Sequence, residues 1–366
     1  MASGNAAHDE LCAALRGDDG PISDAVVELA RRHRIHLVLA QAAGVRVQDA
    51  GVRAALSDEL RRAAIADLFR ERELRRLIAL LDHAGVTALL LKGAGLAYTV
   101  YAAAHVRPRA DLDVLIARTD LEAADRALVG GGWIHVVEQS REAVTTQRHF
   151  ALGGVPFCAE HLDLHWKISV PHVFRDALTF DELASRAVPI GPLGPAARTL
   201  SGPDALFLAC LHRVAHHQDA IDLMWLWDIH LLASSLTDTQ RMFFVDLAGR
   251  RSMRAVCARG IELASARFAT PHAAGLLADL TPREEDLREP SAAFLGGGIR
   301  QIGLLRRDLE SAGGVRARFQ VLAAHLVPGT AYMRSIYPRW PTLMLPLAYV
   351  HRMLRGAPEW FRRPTE

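Results

Sequence analysis

The stretch "LLLKGAGLAYTVYAAAHVRPRADLDVLIA", residues 89–117, decides the fold. It closes one apolar run with Lys92 and Gly93, then opens another with Asp111 and Asp113 one residue apart. The segment "GVTALLLKG", 85–93, reads as a short buried strand between two glycines. A helical bridge over about 94–103 leads to a second strand in "ADLDVLIA", 110–117. Side chains alternate across a strand, so Asp111 and Asp113 point one way and Leu112, Val114 and Ile116 the other, a pattern that Leu115 interrupts. Carboxylates held side by side repel unless a proton or cation neutralises them, and hard divalent cations with oxygen ligands are the natural solution. The plain alternative for an isolated D-x-D is a solvent-facing edge strand carrying two polar residues.

Working outward, a helix is expected from about Asp120 to Leu128, a break at the glycines 130–132, and then three strand-like pieces: "WIHVVEQ" (133–139), "QRHFAL" (147–152) and "AEHLDLHWKI" (159–168). In the last, His161, Asp163 and His165 share one face, with Leu162 and Leu164 on the other. If this strand pairs beside the D-x-D strand, Asp111, Asp113 and Asp163 converge. Three carboxylates suffice for two Mg²⁺ ions roughly 3.5–4 Å apart, the arrangement that supports in-line phosphoryl or nucleotidyl transfer. Gly93, at a strand-to-helix turn, lets backbone N–H groups approach a triphosphate, and Lys92 adds a cation.

The flanks are helical. Ala25, Val26, Leu29 and Ala30, then Leu74, Leu77, Ile78 and Leu81, return at three- and four-residue steps. From Ser201 the helical pattern resumes, most strongly in "PDALFLACLHRVAHHQDAIDLMWLWDIHLLASSL", while "LREPSAAFLGGG" (287–298) reads as a loop and Pro338, Pro341 and Pro346 interrupt a helical tail. An α+β chain follows: a helical region 1–82, a core of small mixed sheet over 83–170, and a helical region 171–366.

Composition bounds the function. The 366 residues are 50% hydrophobic and carry a formal charge of +2, which argues against a chain built wholesale as a polyanion binder. Cys12, Cys158, Cys210 and Cys257 are scattered without a CxxC pair, so neither a disulfide framework nor a cysteine zinc site is expected. The first residues lack a signal peptide's basic and apolar regions, and no apolar run approaches the roughly 18 residues of a membrane span, so a cytoplasmic protein without membrane association is expected.

In this order, "LLLKG", "RPRADLDVLI" and "LDLHW" resemble the nucleotidyltransferase superfamily whose fold is shared with DNA polymerase β, and more closely its branch of bacterial nucleotidyltransferases, some found beside lasso-peptide biosynthesis genes. "LHRVAHHQDAIDLMWLWDIHLL" and "ARRHRI" extend the resemblance, which covers about residues 25–235. It implies that Asp111 and Asp113 are paired metal ligands and that Asp163 is the third carboxylate, ligating one metal and helping to deprotonate an acceptor hydroxyl. Gly93 takes the loop-glycine position, although Ala94 stands where the superfamily has Gly or Ser, and the interval to Asp111 is long for the superfamily at large. Arg107 matches the branch's arginine upstream of the D-x-D; it either contacts triphosphate oxygens or pairs with Asp111 or Asp113.

His212 and His216 lie four apart on one helical face, as structural histidines beside the cleft or as nucleotide contacts, with Asp228 a partner for a histidine or for Arg213. His161 is a candidate acid/base or phosphate contact, whereas His165 and Trp166 read as structural. The implied activity is transfer of a nucleoside monophosphate from NTP to a hydroxyl acceptor, a small molecule or a peptide-derived product, with pyrophosphate leaving. Alternatives are a tRNA-modifying toxin-like enzyme, which the basic stripe "RRDLESAGGVRARF" slightly favours, a metal-dependent phosphohydrolase built on His212, His216 and Asp219, and a non-catalytic nucleotide-binding partner. The base, the acceptor and the oligomeric state are not specified by the sequence.

Overall fold

A computed structural model describes residues 2–136, 146–154, 160–169, 171–281, 289–296, 303, 305–306, 309, 314–327 and 330–361. Three short helices, α1 (Ala2–Arg16), α2 (Asp24–Arg32) and α3 (His36–Ala43), precede α4 (Ala50–His83). The 34 residues of α4 run about 50 Å, and its N-terminus is capped by the Asp49 carboxylate, which accepts from the Val52 N–H at 2.8 Å. Its last turns carry Leu74, Leu77, Ile78 and Leu81, all buried against the sheet that follows.

That sheet is built from β1 (Ala88–Leu90), β2 (Leu112–Ile116), β3 (Ile134–Val136), β4 (Gln147–Leu152), β5 (Glu160–His165), β6 (Val188–Pro189) and β7 (Arg198–Thr199), in the order β3-β4-β5-β2-β1-β7-β6. Helices α5 (Lys92–Leu96) and α6 (Leu121–Gly130) lie within this region. β1 is antiparallel to β2, β2 parallel to β5, and β5 antiparallel to β4. The short hairpin β6–β7 adds to the far side of β1, with β7 parallel to it. A domain boundary at 170 leaves this hairpin on the helical side; its strands are two residues each, below what a periodicity reading resolves.

Leu115's place in β2 has a packing reason. Leu112, Val114 and Ile116 join a core with α4 and α6, while Leu115, Leu89 and Leu91 join a second core with α1 to α3 and the helices that follow β5. Those helices include α7 (His172–Arg175), α8 (Phe180–Arg186), α9 (Gly202–His217), α10 (Leu223–Ser235), α11 (Asp238–Arg250), α12 (Arg254–Phe268) and α13 (Ala273–Leu280). Asp113 therefore sits in a strand apolar on both sides, the pattern of a covered sheet.

Several sequence expectations shift. The bridge after β1 is a five-residue helix, turns, and a 3₁₀ segment at Ala104–Val106, because Gly93 and Gly95 weaken a longer helix. Asp111 stands one residue ahead of β2. "SAAF" of the expected loop forms part of a 3₁₀ turn, Pro290–Phe294. Residues 137–139 of the piece "WIHVVEQ", Ala159 of "AEHLDLHWKI", Cys158 and part of the basic stripe at 306–319 lie outside the described residues. The tail contains α14 (Val315–Leu326), α15 (Thr330–Ile336) and α16 (Leu345–Phe361). Pro338 and Pro341 lie between α15 and α16, whereas Pro346 sits in the first turn of α16, where a missing N–H costs nothing.

The α5–β7 contact leaves no room at Gly95. A Cβ there would lie 2.1 Å from Thr199 Oγ1 and 3.0 Å from the Leu90 carbonyl oxygen, to which the Thr199 hydroxyl donates at 2.7 Å. Gly95→Ala is expected to cost about 1–3 kcal/mol, read from the midpoint of denaturant unfolding; an unchanged midpoint would contradict this packing.

Candidate nucleotide and metal site

The parallel register sets Asp113 directly opposite Asp163. Asp113 is only 4% exposed. Lys92, two residues past β1 and the first of α5, has a left-handed conformation, φ 47°, uncommon for a side-chain-bearing residue, and its Nζ donates to Asp113 Oδ1 at 2.6 Å. His165 Nε2 lies 2.8 Å from the same oxygen. Burial alone raises a carboxyl's pKa, but Lys92 and His165 outweigh it and hold Asp113 far below the usual carboxylate range. Asp111 keeps exposed surface at the pocket, where partial desolvation and the neighbouring Asp113 push its carboxyl up.

Asp163 is held from β4. His149, its direct partner in the antiparallel register, places Nδ1 2.6 Å from Asp163 Oδ1, and the Gln147 amide donates to Oδ2 at 3.2 Å. Neither residue stands out in the sequence; aligning "QRHFAL" antiparallel to "EHLDLH" is the signal that finds them. His165, read as structural, instead touches a carboxylate of the site. His161 shares its strand face but is exposed and does not line the pocket.

The pocket, about 400 Å³, brings together Lys92, Gly93, Asp111, Asp113 and Asp163 with His212, His216, His217 and Trp225 from α9 and α10. Gly93 forms an open place: a Cβ there would lie 3.2 Å from Arg109 Cγ and 3.5 Å from the Arg107 guanidinium carbon. Arg107 pairs with neither Asp111 nor Asp113. Its Nε and Nη2 donate to Asp228 at 2.9 and 2.7 Å, and Nη1 to the Pro108 carbonyl at 2.5 Å. Burial works against this cation, but Asp228 and then Tyr101 more than compensate and hold it firmly protonated. Asp228 thus serves Arg107 and the Tyr101 hydroxyl (2.6 Å) rather than a histidine or Arg213, whose partner is Asp219. Arg109 is the guanidinium that sequence reasoning passed over. It is buried, pairs with Asp67, and leaves Nε and Nη1 without partners.

The α9 histidines are neutral near pH 7. Burial, then Lys92, lowers His212 well below its usual range and His216 to about 3, and lowers His217 too. His216 Nε2 lies 3.1 Å from Ser169 Oγ, and His212 and His217 place their Nε2 atoms 3.3 Å apart. Asp219 does not join them; it faces Arg213 and the Gly296 N–H, away from the pocket lining. Among the described residues, Asp113, Asp163 and His165 form the group whose ligand atoms lie within 4.8 Å of one another. Two carboxylates facing one open pocket, with Asp111 at its lining, suit a hard divalent cation, so these residues fit the metal that the fold class implies.

The Lys92–Asp113 pair has a pH signature. Asp113's depressed pKa contributes stability that is full above the unfolded carboxylate range near pH 4 and is lost as pH falls through the folded value. Lys92→Met should cost of order 2 kcal/mol at neutral pH in chelator-treated buffer, less than the 3–5 typical of a broken buried pair because His165 still bonds the carboxylate. The gap between variant and parent should narrow below about pH 4. A gap that is constant from neutral pH to pH 3, read by thermal melting, would contradict this assignment.

No curated protein matches the chain. A solved structure, that of JHP933 from Helicobacter pylori, is similar over 62% of this chain and 88% of its own, at 16% identity and a TM-score of 0.31, too distant to carry an argument. The model of a family described as "Uncharacterised nucleotidyltransferase" matches residues 22–269, a span that holds the whole sheet, the carboxylates and α9 to α12. With that match over most of its length, the chain belongs to this nucleotidyltransferase family.

Proposed function

We propose that the protein transfers a nucleoside monophosphate from a Mg²⁺-bound NTP to a hydroxyl acceptor, releasing pyrophosphate. The observation that carries this reading is the direct register of Asp113 and Asp163 beside the Lys92–Gly93 turn, all lining one pocket. Cations bound there, two in our reading, would supply charge against the triphosphate and would make an attacking hydroxyl more acidic. Asp111, Asp113 and Asp163 would hold them.

The chain's own residues do the rest. Lys92, already 2.6 Å from Asp113, brings a fixed positive charge to the phosphate end of the pocket. Gly93 keeps that end open, since a side chain would press on Arg109 and Arg107. Arg107 acts in this reading as a wall set by Asp228, with Nε and Nη2 donating to that carboxylate and Nη1 to the Pro108 carbonyl. His149 and Gln147 fix the orientation of Asp163, the carboxylate that faces the acceptor. His212 and His216, neutral and lining the same pocket, suit contact with an uncharged part of the nucleotide or acceptor. His161, exposed and outside the pocket lining, has no part in this reading. A small molecule or peptide-derived product is the acceptor we favour, with tRNA as the rival. A phosphohydrolase on His212, His216 and Asp219 lacks support, because Asp219 faces Arg213.

Incubation with each α-labelled NTP, Mg²⁺ and fractions of a bacterial lysate or total tRNA tests the reading: label should move to an acceptor with one pyrophosphate released. Release of orthophosphate alone would refute it. Asp113→Asn should reduce transfer by roughly a hundredfold or more and weaken NTP binding. Asp163→Asn should lose turnover comparably yet still bind Mg·NTP in calorimetry. Equal loss of binding in the two would show that Asp163 has the wrong role here.

His149→Ala should lower kcat by roughly tenfold, the scale of losing a group that orients a metal-bound carboxylate, with KM for NTP little changed. A proportionate rise in KM with kcat intact would instead place His149 against the nucleotide.

A further inference from the structure

The family match ends at residue 269, and the chain changes character in its tail. Residues 311–366 hold eight of the 43 basic residues and two of the 41 acidic ones, a formal +6 against −4 for residues 1–310. Within this segment α16 presents two unlike sides. Ala348 is buried, and Leu345, Tyr349 and Arg352 are half-buried, at the spacing of one helical face. The opposite face is apolar and open to water: Leu347, Val350 and Leu354, at steps of three and four, are 59%, 48% and 72% exposed. Leu343, just ahead of the helix, is 92% exposed, and Trp340 and Met344 beside it are also exposed. An ordinary surface helix shows the reverse pattern, and an open apolar stripe of this kind marks an interaction surface.

We propose that this face docks the protein on an anionic lipid surface, with α16 lying in the plane of the bilayer interface. Leu343, Leu347, Val350 and Leu354 enter the acyl boundary, and Trp340 sits at headgroup level. The exposed Arg334, Arg339 and Arg355 meet lipid phosphates. Charge decides among occupants. A second copy would bring an equally cationic tail against this one, and RNA matches the arginines but gains nothing from a row of aliphatic side chains. An anionic bilayer satisfies both the cations and the leucines. No helix among the described residues is long and apolar enough to cross a membrane, and the 17 residues of α16, with Arg352 and Arg355 among them, suit an interfacial position. A search of the sequence for apolar spans misses such a face, because its apolar residues are spaced rather than consecutive.

Flotation of the full chain with vesicles tests this. Vesicles of phosphatidylcholine with phosphatidylglycerol should carry the protein, those of phosphatidylcholine alone should not, and rising salt should release it. Leu347→Gln combined with Leu354→Gln should cut the bound fraction roughly tenfold or more while leaving circular dichroism and melting unchanged, since both leucines are exposed. Arg339→Gln combined with Arg355→Gln should weaken binding and flatten its salt dependence. Failure to float with anionic vesicles, or equal flotation of the leucine variant, overturns the proposal. So does a concentration-dependent dimer that the leucine variant abolishes without any vesicle binding, which assigns the face to a second copy. Binding of an RNA hairpin that the leucine variant retains, again without vesicle binding, overturns it in favour of nucleic acid.

Discussion

Two carboxylates in register on adjacent parallel strands, Asp113 and Asp163, impose the constraint that the surrounding structure answers. Like charges so placed cannot both stay ionised in a covered sheet unless positive or donating groups face them. The answer comes from three directions. Lys92 arrives from the end of β1, His165 from β5 itself, and His149 with Gln147 from β4. Only the order β4-β5-β2-β1 brings these residues to one place, so the strand order and the electrostatics of the site express the same constraint.

The sheet can hold charge because it is covered on both sides. α4 and α6 bury Leu112, Val114 and Ile116, while Leu115, Leu89 and Leu91 are buried in the core shared with the helices after β5. Asp113 lies on the second of these sides, where α9 and α10 leave a pocket instead of filling the space. The histidines and Trp225 on those helices are therefore part of the site by position, and burial keeps His212, His216 and His217 neutral there. Arg107 and Asp228 join β2's approach to α10 by two hydrogen bonds, so the pocket wall is fixed by an ion pair that spans 121 residues of sequence.

Much of this was legible beforehand, and for physical reasons. Alternation in "DLDVL" and "HLDLH" exposes the carboxylates and the apolar faces directly, so the strands and their candidate carboxylates follow from short-range pattern, whereas the parallel pairing that sets Asp113 opposite Asp163 is a long-range contact that the sequence pattern leaves only as a condition. Partners that depend on register or on distant helices are not legible that way. His149 reaches Asp163 through an antiparallel register that no single strand encodes, and Asp228 chooses Arg107 over Arg213 through helix packing. Two-residue strands such as β6 and β7 carry no periodicity at all, although Thr199 ties one of them to β1. The exposed face of α16 was hidden for a different reason: spacing identifies an apolar stripe, but not whether other elements of the fold cover it.

In the function proposed here, the Asp113–Asp163 pair holds divalent cations against a triphosphate. Anomalous diffraction from crystals soaked with Mn²⁺ and a non-hydrolysable NTP analogue tests this most directly. Manganese peaks are expected against Asp111, Asp113 and Asp163, with the phosphates beside Lys92 and Gly93. Manganese bound at His212 and His216 with no peak at the carboxylates, or a nucleotide lying outside this pocket, would contradict it.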